Sequence, residues 1–138
     1  MATRRMINKL DAESPLYNKM TIRQRYLYHM IMLYADDDGV MSTELIKSRV
    51  FPLDDNVRTT DVLDDIGALE SHGFIERYAN NEYLFVTDWW TKQFIDKKIY
   101  SPSKHPKPPG YQIRPENLTK YSNRPYYKRI KDKPLEES

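Results

Sequence analysis

The sequence predicts a mainly α-helical domain with one small β-hairpin over residues 1–99, followed by a basic arm at 100–138. Three observations predict it. Residues 22–34 and 60–71 carry capping residues and apolar positions at helical spacing. Residues 74–79 and 82–87 are strand-like runs around Asn80-Asn81, two residues that tolerate positive φ and so suit a tight hairpin. Seven of the nine prolines fall in 100–138, where apolar periodicity vanishes. Helix, turn, helix, helix and hairpin, in that order, make a winged helix-turn-helix.

Each element has a local cause. Ser14-Pro15 suits the start of a short helical turn, because proline at the first helical position sacrifices no hydrogen bond. Thr21 and Gln24 form a capping box for helix 22–34. Ile22, Tyr26, Met30 and Leu33, with Leu27, Ile31 and Tyr34, give that helix a wide apolar surface, so it is expected at the centre of the core. Asp36-Asp37-Asp38-Gly39 turns the chain. Ser42 is the expected cap of a helix over 43–50, with Leu45, Ile46 and Val50 inward, and Pro52 stops it. Thr59 is the expected cap of helix 60–71, with Val62, Leu63, Ile66 and Leu69 as its stripe. Gly73 supplies the left-handed stop after His72. Trp89 and Trp90 follow the hairpin; one is expected to close the core, and a last short helix is expected over 91–99. Residues 100–138, with Lys104-His105-Pro106-Lys107-Pro108-Pro109, read as a largely disordered, extended arm.

Composition narrows the function. The 138 residues suffice for one domain of about 100 residues plus an appendage. The chain has no cysteine, hence no disulfide framework and no thiolate metal site. The basic start does not lead into an apolar signal, and the run 27–35 is too short to span a bilayer. A cytoplasmic protein with no membrane partner is expected. The aspartate run lacks the spacing of a calcium loop and reads as a turn. His29, His72 and His105 are scattered, no nucleophile has a neighbouring base, and no glycine-rich phosphate loop occurs among four glycines. No catalysis, cofactor or metal is expected.

Charge is segregated. The net charge of +2 conceals +3 over residues 1–10, −8 over 11–88 and +7 over 89–138. Basic ends on an acidic body point to an anionic partner. The candidate nucleic-acid contacts are Arg4, Arg5 and Lys9 at the first end, Arg77, Asn80 and Asn81 at the wing, and Lys97, Lys98, Lys104 and Lys107 after it. In the arm, Lys120, Tyr121, Arg124, Tyr126, Tyr127, Lys128, Arg129 and Lys131 interleave cations for phosphates with rings that stack on unpaired bases. A solvated arm, or one docked on the chain's own acidic body, is the alternative. The third helix carries Asp61, Asp64, Asp65 and Glu70 and no Lys or Arg, so it is a poor reader of a groove and a candidate protein-interaction surface.

The ordered motifs also carry a resemblance. Tyr34-Ala35-Asp36-Asp37-Asp38-Gly39, Leu45-Ile46-Lys47, Phe51-Pro52-Leu53-Asp54-Asp55, Leu69-Glu70-Ser71-His72-Gly73-Phe74-Ile75-Glu76-Arg77-Tyr78, Asp88-Trp89-Trp90 and Ser101-Pro102-Ser103-Lys104 follow one another along the chain. Over about residues 5–108 the chain resembles the N-terminal domain of phage replisome organisers. These are replication-initiation or helicase-loader-type proteins, related in role to the bacterial DnaD primosome proteins. The resemblance implies non-catalytic origin binding and recruitment of the helicase-loading machinery. Family proteins usually continue into a second domain, whereas a Pro/Tyr/Lys arm follows here, and the family offers no DNA-contact set to transfer.

The expected function is therefore a DNA-binding accessory or initiator protein in phage DNA replication, on single- or double-stranded DNA. The alternative is a protein-interaction module that dimerises or docks a replicative helicase or its loader through the acidic third helix. A small transcription regulator is the third reading.

Overall fold

The computed structural model describes residues 4–111; residues 1–3 and 112–138 are not described. Its elements are α1 (Lys9–Glu13), α2 (Pro15–Lys19), α3 (Ile22–Tyr34), β1 (Val40–Ser42), α4 (Ile46–Val50), α5 (Thr59–Ser71), β2 (Ile75–Tyr78), β3 (Tyr83–Val86) and α6 (Trp89–Lys92). The three strands form one antiparallel sheet in the order β1-β3-β2, beside a helical layer.

The capping box at α3 is as expected: Thr21 Oγ1 accepts from the Gln24 N–H, and Gln24 Oε1 accepts from the Thr21 N–H. Its core face is narrower than predicted. Leu27, Tyr28, Ile31 and Met32 are buried, whereas Ile22, Tyr26, Leu33 and Tyr34 are exposed. A helix with apolar residues on opposite sides does not announce which face is the core.

The expected helix 43–50 is a composite. Ser42 ends strand β1 and makes no capping bond; a 3-10 turn at Thr43–Leu45 leads into α4. Leu45 points out, and Ile46 and Val50 point in. Helix α5 begins at Thr59, which is not its cap. Instead the Asp61 carboxylate reaches back to accept from the Arg58 N–H at 2.9 Å. Val62, Ile66 and Leu69 are buried and Leu63 is exposed. Gly73 takes φ +84°, the left-handed stop expected of it.

The hairpin pairs Ile75 with Val86 and Tyr78 with Tyr83. Its loop uses three left-handed residues, Ala79, Asn80 and Asn81. Strand β3 also pairs with β1, from Val40–Phe85 to Ser42–Tyr83, which completes the sheet. Leu84, Val86 and Ile75 face the helices, and Trp89 is fully buried among them. The last helix stops at Lys92 rather than continuing to 99. Gln93 leaves it in extended geometry, with its amide paired in both directions to the Met6 backbone, at 2.8 and 2.9 Å.

Residues 100–111 form a strap rather than continuing away from the body. His105 lies against Tyr83 and Tyr111 against Phe85, covering the outer side of the hairpin. The domain boundary placed at 99/100 from the sequence therefore falls inside packed structure. Among the described residues no helix is long and apolar enough to cross a membrane.

Candidate nucleic-acid interface

The aspartate turn organises both ends of the domain. Asp37 and Asp38 are fully buried. Such carboxylates need partners, because removing a charge from water costs several kcal/mol. Asp38 accepts from the Tyr100 hydroxyl at 2.6 Å, the Tyr111 hydroxyl at 2.7 Å and the Ser103 N–H at 2.8 Å. Asp37 accepts from the Ser101 N–H at 2.9 Å and from Arg5 Nη2 at 3.2 Å. Burial, and then the bond to Asp38, holds the Tyr100 phenol far above its ordinary range. Burial likewise raises Tyr111, which also accepts from the Trp90 indole N–H at 2.8 Å. Among the described residues no group of His, Asp and Glu is arranged to hold a metal ion.

The expected contacts fall into three sets. Arg4, Lys9, Lys97, Lys98 and Lys104 are exposed, and among the described residues no ion pair occupies their side chains. Asn80 and Asn81 are exposed at the hairpin tip, with φ +59° and +66°. These residues are free to meet a phosphate backbone. Arg5, Arg77 and Lys107 are engaged within the fold. The Arg5 side chain is 5% exposed, donates to the carbonyls of Met32 and Ala35, and lies 5.1 Å from the centre of the Trp89 ring. Glu70 accepts from both the backbone N–H and the Nε of Arg77, each at 2.9 Å. Lys107 lies 3.9 Å from Asp38. Lys120, Tyr121, Arg124, Tyr126, Tyr127, Lys128, Arg129 and Lys131 lie outside the described residues.

Three of the four acids of α5 serve bonds within the fold. Asp65 is buried and accepts from Arg23 Nε at 2.5 Å and from Gln24 at 3.3 Å. Glu70 is held below the ordinary carboxylate range by the Arg77 N–H and then by its guanidinium. Asp61 is held low chiefly by the Arg58 N–H. Asp64 alone of the four is fully on the outside. The outward side of α5 thus presents Thr60, Leu63, Asp64 and Ser71, with no cation to read guanine.

Two further cations were not singled out in the sequence. Lys19 and Arg49 are exposed, and neither makes an ion pair among the described residues. Arg49 lines a cleft of about 220 Å³ with Tyr34, Leu45 and His105. The signal for Arg49 is its place two residues from Lys47, whose Nζ turns back to the Phe51 carbonyl at the end of α4.

The chain was compared with protein-family models, curated proteins and solved structures, and none of the three gave a match.

Proposed function

We propose that this chain is a non-catalytic, winged-helix DNA-binding protein that acts as an accessory or initiator in phage DNA replication. The observation that carries the DNA-binding reading is the order of elements. Helix α3, strand β1, helices α4 and α5, then hairpin β2-β3, with the sheet ordered β1-β3-β2, supports a winged-helix reading. The replication context rests on the motif resemblance over residues 5–108.

Support for the mode of contact comes from charge. Exposed Arg4, Lys9, Arg49, Lys97, Lys98 and Lys104 are available to phosphates, with Asn80 and Asn81 at the wing. Base-edge readers are missing from the outward side of α5, so backbone contact without strong sequence preference is the expected mode. The acidic-helix docking reading loses ground, since Asp61, Asp65 and Glu70 serve intramolecular bonds.

The test is binding of the full chain to single- and double-stranded DNA at two salt concentrations, beside a 1–111 truncation that keeps the strap. With about six phosphate contacts on a single strand, log affinity falls against log salt with a slope near −4. Absence of salt-dependent binding by the full chain sinks the proposal. Equal affinity of the truncation assigns the contacts to the domain rather than to residues 112–138.

A further inference from the structure

The cleft beside Arg49 joins distant parts of the chain. Tyr34 comes from the end of α3, Val40 from β1, Leu45 from the 3-10 turn, Arg49 from α4 and His105 from the strap; these help to line a space of about 220 Å³. Tyr34 and Leu45 are each 41% exposed, so the fold leaves both apolar side chains half uncovered. Every other described tyrosine packs on a second ring. Tyr34 has no ring neighbour, and its hydroxyl makes no hydrogen bond, among the described residues. Arg49 likewise makes neither ion pair nor hydrogen bond among them. The one carboxylate in the lining, Asp36, is turned to the backbone, where its Oδ1 accepts from the Asp38 and Val40 N–H groups at 3.1 and 3.0 Å. It therefore leaves the guanidinium uncompensated. The strap's side of the cleft is fixed: the His105 ring lies 5.2 Å from that of Tyr83, and Asp38 holds Tyr100 and Ser103.

We propose that this cleft holds one unpaired nucleotide of a DNA single strand, its base against Tyr34 and the adjoining phosphate on Arg49. The proposal rests on the DNA-binding reading and adds to it a strand form and a place. Three features select the ligand. A half-exposed tyrosine ring offers a stacking face, which any nucleobase matches without regard to sequence. A guanidinium with no other partner, in the same lining, suits a phosphate, to which it can donate two parallel hydrogen bonds. The volume lies below the roughly 300–1,000 Å³ of a pocket that encloses a whole small molecule. It suits a base whose sugar and phosphate stay outside. A base within a duplex keeps both faces stacked on its neighbours, so the cleft selects single strands. Lys104, exposed and next to His105, is placed for a neighbouring phosphate. The strap thus contributes to the site as well as covering the hairpin, since His105 is part of the lining.

Fluorescence anisotropy of a short labelled oligothymidine strand with the full chain reads the site. Tyr34→Ala should weaken binding by about tenfold, the loss of one stacked base, and leave the salt slope unchanged. Arg49→Ala should lower that slope by about 0.7, the share of one phosphate on a single strand. Tyr34→Ala should leave binding to a duplex of the same length unchanged. Leu53→Ala, at an 89% exposed position outside the lining, should leave single-strand binding unchanged. Salt-dependent binding that Tyr34→Ala does not weaken overturns the cleft and spares the DNA-binding reading. Absence of binding by the full chain overturns both. If Tyr34→Ala fails to fold, cross-linking of the wild-type chain decides. A strand carrying bromodeoxyuridine, irradiated in the complex, should attach to Tyr34 or to another residue of the lining. Attachment only outside the lining overturns the proposal.

Discussion

The Tyr111 hydroxyl donates to the Asp38 carboxylate at 2.7 Å, joining two points 73 residues apart in sequence. Tyr100 donates to the same oxygen, and the Ser103 N–H donates to the other. Asp38→Asn replaces one oxygen by an N–H2 group. The phenols can rotate to accept, but the Ser103 N–H cannot, so at least one buried donor loses its acceptor whichever way the amide turns. The expected loss is about 2–3 kcal/mol in urea unfolding followed by tryptophan fluorescence, where Trp90 reports on the strap through its bond to Tyr111. A variant within about 0.5 kcal/mol of wild type would mean that Asp38 does not hold the strap.

Gly39 sits at φ +81°, and a Cβ there would approach Trp89 Cδ2 to 2.6 Å. Trp89 cannot retreat easily, being fully buried and bonded through its indole N–H to the Asp37 carbonyl at 2.9 Å. Gly39→Ala therefore combines left-handed strain with overpacking, about 1–2 and 1–3 kcal/mol respectively. A fall in stability of at least about 2 kcal/mol is expected by chemical denaturation. Gly73→Ala, also left-handed but in open space, should lose only the first part. Equal losses at the two glycines would contradict the tight Gly39–Trp89 approach.

These two sites mark where the sequence was legible and where it was not. Helices α3 and α5 and the hairpin were readable because their caps, periods and turn residues are local. Strand β1 is three residues long and gains its identity from pairing with β3, which local pattern does not encode. The core face of α3 was ambiguous because apolar residues surround it. Asp37 and Asp38 read only as a turn, and Tyr100 to Tyr111 as part of an arm, because each lacks meaning without the other. Arg4 and Arg5 are the same residue type side by side, and only tertiary packing separates a surface cation from an internal one. The carboxylates of α5 posed the same difficulty: the partners of Asp65 and Glu70 lie on α3 and β2.

His29 should make the fold sensitive to mild acid. Its Nε2 faces the Tyr17 hydroxyl at 2.8 Å, and its Nδ1 is buried with no partner among the described residues. Burial lowers its pKa from the ordinary 6.5, outweighing the attraction of Asp11. In the unfolded chain the imidazole gains a proton near pH 6.5, whereas in the folded chain it resists until lower pH. Below 6.5 the unfolded state thus binds more protons, and stability falls as pH falls towards the lowered value. Urea midpoints between about pH 7.5 and 5 should decline for wild type and decline less for His29→Gln, which keeps a polar side chain of similar size. Parallel curves for the two proteins would assign the acid sensitivity elsewhere.

Arg4 and Arg5 offer the sharpest separation of binding from folding. Arg5 donates to three carbonyls and to the buried Asp37, so Arg5→Ala removes a cation from that carboxylate. Breaking a buried pair from one side costs about 3–5 kcal/mol, visible as a large drop in the denaturation midpoint. Arg4 is exposed and its guanidinium has no ion pair among the described residues, so Arg4→Ala should change stability by less than about 0.5 kcal/mol. If the basic end meets phosphates, Arg4→Ala should also lower the salt slope of single-strand binding by about 0.7, the share of one contact. Any loss of binding in Arg5→Ala should track its unfolded fraction and recover under conditions that restore folding. A stable Arg5→Ala chain with a reduced salt slope would reverse the assignment and place Arg5 at the DNA.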